Sequence, residues 1–211
     1  MTGLIGRIIM IVFAAYFLGN MNGAIIISSL LDRDDVRTHG SGNAGMTNYM
    51  RSYGVPKAGL VVIIDLGKGI LAAFLGALLL EPYGYYLEGA TLAGLCVSLG
   101  HDFPSAQGFR GGKGILCGWG MSMVADWRIS LIILGVFLAF VLLSRYVSLG
   151  SCMAALSLGI SFTILHLGKV WVLLFVWATS CLALFMHRGN INRLLHGTER
   201  KVSRHHKEEN L

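Results

Sequence analysis

Long apolar runs recur along almost the whole chain and leave only short polar segments between them. Hydrophobic residues make up 55% of the 211 residues and charged residues 13%, whereas an ordinary soluble domain carries about 25% charged residues. A helix needs about 20 mostly apolar residues to cross a bilayer, and it satisfies its own backbone polar groups there. The pattern therefore predicts an all-α, polytopic membrane protein.

Seven of these runs are predicted to be transmembrane helices, of which the third and fourth are the shortest. We expect one integral membrane domain, 1–187, followed by a basic cytoplasmic tail, 188–211. The first run lacks a small-residue cleavage site, so it is expected to remain as a helix. The runs cover residues 8–31, 57–80, 87–99, 114–124, 129–143, 149–165 and 170–186.

Basic residues concentrate on one side of this seven-helix arrangement. Only Arg7, Arg128 and Lys169 fall on the other side. The positive-inside rule then predicts an N-terminus outside and a C-terminus in the cytoplasm, as an odd number of spans requires. The basic residues on the predicted cytoplasmic side are Arg33, Arg37, Arg51, Lys57, Lys68, Arg110, Lys113, Arg145, Arg188, Arg193, Arg200, Lys201, Arg204 and Lys207.

Charge and cysteine usage exclude two other classes of protein. The net charge of +6 does not indicate nucleic-acid binding, because the basic residues lie at the ends of apolar runs, where they set membrane orientation. The cysteines lie in apolar stretches without CxxC or metal-ligand spacing, so we expect core packing and predict no metal or cofactor. They are Cys96, Cys117, Cys152 and Cys181.

The segment His101–Trp119, HDFPSAQGFRGGKGILCGW, interrupts the apolar runs with glycines and basic residues. Irregular polar backbone is tolerated at membrane depth only where protein buries it or it lines a cavity. Free glycine N–H groups, a following helix N-terminus and basic side chains together predict a seat for a phosphate or similar anion. The residues assigned to this seat are Arg110, Gly111, Gly112, Lys113 and Gly114.

Two known motifs do not match this segment. It is not a nucleotide P-loop, because Gly114 follows Lys113 where Ser or Thr is required. His101 and Asp102 are adjacent, so they do not form the HxxxxD pair of common glycerolipid acyltransferases. His101 is either a hydrogen-bond partner at a helix end or a participant in chemistry, and the residues alone leave both open.

A second glycine-rich segment, Gly40–Asn48, lies in the polar loop after the first run. Its neutral side chains can donate hydrogen bonds, and Arg51 can hold a phosphate through two parallel hydrogen bonds. The alternative is a turn followed by an N-capped interfacial helix, since Ser and Asn favour such positions. The candidate binding residues are Ser41, Gly42, Asn43, Thr47, Asn48 and Arg51.

Two further polar groups lie on the same predicted side of the membrane. Ser144 and Ser148 are expected in a turn between the fifth and sixth runs, and packing is the alternative role for Ser148. His187 and Asn190 follow the last run three residues apart, where interfacial anchoring to anionic lipid is the alternative.

Polar residues also occur inside two of the apolar runs. Asn20 and Asn22 interrupt the first run and should face the protein interior or a cavity, because exposure to lipid is costly. Asp65 and Lys68 lie three residues apart in the second run, on one helical face, and are able to pair.

Three sequence signatures then occur in order: GSGNxGxTN with Arg51, LGHDFP with FRGGKG, and HRxNIxRLxxGxE. Together they resemble the bacterial acyl-phosphate:glycerol-3-phosphate acyltransferase family, over essentially the whole chain. The resemblance implies a seven-span enzyme of the bacterial cytoplasmic (inner) membrane with its active site facing the cytoplasm. Such an enzyme transfers a fatty acyl group from acyl phosphate to the 1-hydroxyl of glycerol 3-phosphate in phospholipid biosynthesis, and an acyl-phosphate-producing enzyme is an expected partner.

The resemblance also implies residue roles. Lys113, Ser148, His187 and Asn190 are expected to be catalytic. Ser41 and Arg51 match substrate-binding positions. We expect the same role for His101 and for the other candidates of the first motif, which are Gly42, Asn43, Thr47 and Asn48. Gly111, Gly112 and Gly114 match glycines around a phosphate. The proton acceptor stays open between His187 and a substrate phosphate oxygen.

The chain departs from the family pattern at four positions. Asn20 and Asn22 stand where Ser and Pro are expected, Ala44 replaces a bulkier residue, and Gly189 replaces a Glu. The last change removes a carboxylate beside the predicted site. The alternative function is a small transporter of a phosphorylated metabolite, which would also need a basic site beside broken helices.

Overall fold

The computed structural model describes residues 2–202, and the end of the tail, with Arg204 and Lys207, lies outside the described residues. The described part is helical throughout and contains no strand, which confirms the all-α prediction. Its helices are α1 (Thr2–Gly19), α2 (Gly23–Ile27), α3 (Met46–Tyr53), α4 (Val55–Leu80), α5 (Tyr86–Asp102), α6 (Ile115–Ala125), α7 (Trp127–Ser144), α8 (Val147–Leu165), α9 (Val170–Met186) and α10 (Arg188–Leu195).

Every predicted apolar run contains a helix, but the helices differ in their capacity to cross a bilayer. Four segments of the described chain are long and apolar enough: Thr2–Asp32, Val55–Tyr83, Trp127–Ser144 and Val147–Leu165. The α9–α10 pair meets the same requirement only as one span bent by 57°. Helix α5 has 17 residues and α6 has 11, so each falls short of the length needed to cross a bilayer.

Three sequence expectations about local position are wrong. The turn before α8 is confined to Arg145 and Tyr146, so Ser148 lies in the first turn of a helix and not in a shared turn with Ser144. Lys68 is buried inside α4 and therefore does not belong with the loop charges. Cys181 is exposed on the surface of the isolated chain, whereas the other three cysteines are buried as expected.

Glycines let α5 pack closely between α1 and α4. A side chain at Gly100 would place its Cβ 2.0 Å from the carbonyl oxygen of Tyr16, and one at Gly89 would lie 2.2 Å from the carbonyl oxygen of Gly76. Membrane helices associate through such small residues, because lipid offers no hydrophobic drive between helices. The close packing brings the end of α5 beside the break between α1 and α2.

That break contains the two asparagines of the first run. Asn22 caps α2 by accepting a hydrogen bond from the backbone N–H of Ile25 at 3.1 Å, and its amide donates to the Ala44 carbonyl at 2.9 Å. The Asn20 side-chain oxygen accepts hydrogen bonds from the Ser105 hydroxyl at 3.1 Å and the Ala106 N–H at 3.2 Å. Both asparagines are buried, which confirms that they face the protein interior.

The predicted polar segments meet at one end of the helix bundle. The Ala44 N–H donates to the carbonyl of Gly111 at 3.3 Å, and the Val202 N–H donates to the carbonyl of Arg145 at 2.8 Å. The opposite end holds a separate cluster in which Asp126 caps α7 and contacts Arg128 and His166. The site therefore forms where the glycine-rich loops and the C-terminal segment join.

Candidate active site

A cavity of about 420 Å³ opens at the end of the bundle where these segments meet. Gly42, Arg110, Gly111 and Gly112 do not line it. Eleven of the fifteen residues predicted for the site do: Ser41, Asn43, Thr47, Asn48, Arg51, His101, Lys113, Gly114, Ser148, His187 and Asn190.

A chain of polar contacts across this cavity connects α8 and α10 with the loop before α6 and the C-terminal segment. The Lys113 ammonium donates to the Asn190 side-chain oxygen at 2.5 Å, and the Asn190 amide donates to Glu199 at 2.9 Å. The same Glu199 oxygen accepts from the Ser148 hydroxyl at 3.0 Å, while its other oxygen accepts from Arg193 at 2.7 Å. The Glu199 carboxylate therefore bonds two of the four predicted catalytic residues, and Asn190 connects Lys113 to them.

The electrostatics of this network favour an anionic ligand. Burial, followed by the charge of Arg193, lowers the pKa of the Lys113 ammonium to about 8. Burial raises the pKa of Glu199, but hydrogen bonds from Asn190, Arg193 and Ser148 outweigh it and hold the pKa below the ordinary value. Glu199 is thus an anion at neutral pH that already has its partners, whereas Lys113 gains from a second anion.

His187 lies at the end of α9 and lines the cavity. Its Nδ1 is 2.8 Å from the Ala183 carbonyl oxygen, which can only accept a hydrogen bond. The neutral ring therefore carries its proton on Nδ1 and leaves a lone pair on Nε2. This tautomer suits the acceptance of a proton from a substrate hydroxyl.

Arg51 reaches the cavity from α3. Its guanidinium donates to the carbonyl of Arg200 at 3.2 Å, so the C-terminal segment partly holds the side chain in place. Arginine keeps its charge in such settings and presents parallel donors that match phosphate geometry. Arg51 and Lys113 therefore supply two separate cationic groups to one cavity.

Asn48 organises the first glycine-rich loop. Its side-chain oxygen accepts from the Ser41 N–H at 2.9 Å, and its amide donates to the carbonyls of Val36 at 3.1 Å and His39 at 3.0 Å. These bonds hold the turn that Gly42 makes at a φ of +71°. The polar groups of Asn48 are thus engaged by the loop, and the hydroxyl-bearing residues of the segment, Ser41 and Thr47, both line the cavity.

Gly111 and Gly112 serve the shape of the second loop. Their N–H groups donate to the carbonyls of Asp102 at 3.2 Å and His101 at 3.0 Å, so neither N–H is free for a phosphate in this structure. A Cβ on Gly112 would lie 2.0 Å from Nε2 of His101. Gly114 instead begins α6 at a φ of +67°, and the N-terminus of that helix lines the cavity.

Sequence reasoning missed several cavity residues, of which Glu199 and Arg193 have the most contacts. Both stand in the third signature, HRxNIxRLxxGxE, so the motif itself was the available signal. A phosphate site favours basic side chains, so its chemistry does not by itself predict a carboxylate such as Glu199. Other cavity residues that were not predicted are Asp65, Ser151, Thr198 and Arg200.

A narrow, mostly apolar crevice of about 20 Å³ lies beside the cavity, between α6, α8 and α9. Gly114 and Ile115 border both spaces. Most of the other lining side chains are small or aliphatic, among them Ala154, Leu158 and Ala183. The polar cavity and the apolar crevice thus share a wall at the start of α6.

Comparison with known proteins gives a consistent result. A family model described as glycerol-3-phosphate acyltransferase matches residues 9–197. A glycerol-3-phosphate acyltransferase of Finegoldia magna is 40% identical over 203 residues, which cover 93% of this chain and 97% of that protein. One of Clostridioides difficile is 36% identical over 197 residues, covering 92% and 95%.

Two solved structures are also similar. Both are crystal structures of PlsY (YgiH), described as an integral membrane glycerol 3-phosphate acyltransferase. The glycerol 3-phosphate form has a TM-score of 0.83 and 33% identity, covering 93% of this chain and 96% of that chain. The lysophosphatidic acid form has a TM-score of 0.81 and 32% identity, covering 93% and 95%.

Proposed function

The chain belongs to the glycerol-3-phosphate acyltransferase family, and from this premise we propose that acyl phosphate is its acyl donor. The reaction transfers a fatty acyl group to the 1-hydroxyl of glycerol 3-phosphate and yields 1-acyl-glycerol 3-phosphate and phosphate. The observation that carries the proposal is a cavity whose cationic lining includes Arg51 and Lys113, beside an apolar crevice. Two phosphorylated substrates, one with an acyl tail, match this arrangement.

Each substrate has its own cationic partner in this proposal. Arg51 with Ser41 holds the phosphate of glycerol 3-phosphate, and Lys113 holds the phosphate of the acyl donor. The N-terminus of α6 supports the donor phosphate with the positive end of its dipole. The acyl tail lies in the crevice between α6, α8 and α9 and is reached from the bilayer.

The transfer step is a direct attack. The 1-hydroxyl oxygen forms a bond to the carbonyl carbon, the bond from that carbon to the phosphate oxygen breaks, and phosphate leaves with the electron pair. The hydroxyl proton passes to Nε2 of His187 or to a substrate phosphate oxygen. Asn190 and Ser148 keep the reacting groups in register through Glu199, and such positioning contributes up to about 7–11 kcal/mol in ideal cases.

An acyl-enzyme on Ser148 is not part of the proposal. The Ser148 hydroxyl donates to Glu199, whose pKa lies below the ordinary value, so this carboxylate is a weak base. A serine nucleophile needs a stronger base within hydrogen-bond reach. Acyl phosphate already has a good leaving group and does not require a covalent intermediate.

The proposed setting is the cytoplasmic membrane of a bacterium, with seven spans and the cavity facing the cytoplasm. The concentration of basic residues at the cavity end supports this orientation through the positive-inside rule. A cytoplasm-facing site has access to soluble glycerol 3-phosphate. It can also receive the donor from an acyl-phosphate-producing enzyme.

The test uses purified full-length protein in lipid with labelled glycerol 3-phosphate. Palmitoyl phosphate and palmitoyl-CoA are offered in parallel, each with and without EDTA. We expect product from the acyl phosphate alone, at a rate that EDTA does not change. Product from the CoA ester alone would overturn the donor assignment, and binding of glycerol 3-phosphate without any product would favour the transporter.

A further inference from the structure

The ion pair that the sequence spacing predicted in α4 is present and deeply buried. Nζ of Lys68 lies 2.9 Å from the carboxylate of Asp65, and the two side chains are 3% and 2% exposed. Such a pair costs considerable desolvation energy, and its retention inside a membrane protein indicates a functional role. The proposed transfer step does not itself use either residue.

Both charged groups satisfy backbone atoms at the break between α1 and α2. The Lys68 ammonium donates to the carbonyls of Gly19 at 3.1 Å and Met21 at 2.8 Å. The Asp65 carboxylate accepts from the Gly23 N–H at 3.0 Å. These are backbone groups that a continuous helix would have satisfied itself, and inside a bilayer they need other partners.

The same ammonium also contacts a residue of the cavity. Nζ of Lys68 is 2.8 Å from Nδ1 of His101, and the amide of Asn22 is 3.5 Å from the same ring nitrogen. An oxygen of the Asp65 carboxylate lies 3.4 Å from Nδ1 of His101, which is farther than the Lys68 ammonium. An ammonium can only donate, so Nδ1 accepts and a neutral ring carries its proton on Nε2.

Nε2 of His101 is directed toward the second glycine loop. Within residues 2–202 it makes no hydrogen bond, although His101 lines the cavity and is 4% exposed. Gly112 permits this position, because a Cβ there would lie 2.0 Å from Nε2. The ring of this cavity-lining residue thus has a donor without a protein acceptor in the described part of the chain.

We propose that Lys68, together with Asp65, is a positioning residue that fixes His101 as the Nε2–H tautomer. In that state His101 offers a neutral hydrogen-bond donor to a phosphate oxygen of a bound substrate. The proposal rests on the proposed function for the identity of that ligand. The tautomer itself is a property of the unliganded protein and is measured separately.

The first experiment measures the tautomer by NMR on full-length protein labelled with ¹⁵N-histidine. Long-range proton–nitrogen correlations distinguish Nε2–H, Nδ1–H and doubly protonated rings, and His101→Gln identifies the His101 signals. We expect Nε2–H in the unaltered protein. In Lys68→Met we expect the proton to move to Nδ1, where it can bond Asp65, while the signals of His166 stay unchanged.

The second experiment is a double-mutant cycle on kcat/KM. Lys68→Met and His101→Gln are each expected to reduce kcat/KM about tenfold, the loss that removal of one neutral hydrogen bond to substrate produces. If Lys68 acts through His101, kcat/KM of the double variant should be no lower than that of the less active single variant. The matched control is Lys57→Met, because Lys57 also lies on α4 and forms an ion pair with Asp32. This variant should leave kcat/KM within about twofold.

Three results would overturn the proposal. One is an Nδ1–H or doubly protonated His101 in the unaltered protein, which needs no Lys68 variant to fold. Another is an unchanged His101 tautomer in Lys68→Met, and a third is additive loss in the double variant. If the protein transfers no acyl group at all, the proposed function fails while the tautomer measurement still decides this inference.

Discussion

Lys113 illustrates how its surroundings turn an ordinary lysine into a phosphate ligand. The cavity removes water from the ammonium, and Arg193 adds positive charge nearby. Among residues 2–202, Lys113 makes its side-chain hydrogen bond to the neutral Asn190, and the Glu199 carboxylate acts on it only from beyond that amide. An arriving phosphate relieves that imbalance, and the gain is largest where negative charge develops on the leaving phosphate.

Replacing Lys113 with Ala should reduce turnover by about 10²–10³-fold, the loss typical for one donor that stabilises developing charge. Lys57→Ala is the control, because Lys57 pairs with Asp32 and does not line the cavity. The measurement is initial-rate acyl transfer at matched amounts of membrane-inserted protein. Near-normal turnover in Lys113→Ala would contradict the assigned role.

The pH dependence of kcat/KM follows from the same lysine. Its pKa is lowered to about 8, so the ammonium is charged below that pH and loses its charge as the pH rises through it. We therefore expect kcat/KM for acyl phosphate to fall above about pH 8, since kcat/KM reports the free enzyme. Lys113→Arg should move this alkaline limb to higher pH, and a limb at the same pH in both proteins would exclude Lys113 as its cause.

At the scale of elements, the glycines between α5 and α6 let the loop backbone lie close to the His101 ring. The loop between α5 and α6 folds back on the end of α5 through the N–H groups of Gly111 and Gly112. This places Lys113 and the N-terminus of α6 in the cavity. The family glycines are thus explained by loop geometry as well as by proximity to a phosphate.

Gly112→Ala should therefore reduce kcat/KM by tenfold or more, because the new Cβ displaces His101 or the Ala44 carbonyl. A tenfold loss corresponds to about one hydrogen bond in the transition state. Gly67→Ala is a matched control, since a Cβ at Gly67 in α4 meets no atom within 4 Å. Activity is compared with thermal stability for both variants. Equal activity of the two variants would show that the close contact at Gly112 is not required.

At the scale of the whole molecule, the two ends of the bundle differ in chemistry. The cavity end gathers the glycine loops, Arg51, Lys113 and the C-terminal segment, whereas the far end holds the Asp126–Arg128–His166 cluster. This asymmetry is what the positive-inside rule acts on. It predicts that the cavity opens to the cytoplasm.

Cysteine accessibility tests the orientation. Glu81→Cys, after α4 at the far end, should react with a membrane-impermeant maleimide in intact cells, whereas Thr38→Cys should react only after permeabilisation. Both positions are exposed, and both variants are made in a Cys181→Ser background because Cys181 is also exposed. The opposite labelling pattern would reverse the proposed topology.

Sequence alone determined the helical class, the approximate extent of each helix and the family, because apolar period, composition and ordered motifs are local properties. It also predicted the Asp65–Lys68 pair, since residues three apart on a helix are neighbours. It misjudged Ser148 and Lys68, whose positions depend on where one turn ends and which helix face is buried.

Only the tertiary structure decided which distant groups meet. Glu199 reaches Ser148 across 51 positions of sequence, and Lys68 reaches His101 across 33. It also engaged the N–H groups of Gly111 and Gly112 with backbone carbonyls, although their motif suggested free donors. Such contacts follow from how helices pack through small residues and from where their breaks occur, which no local pattern encodes.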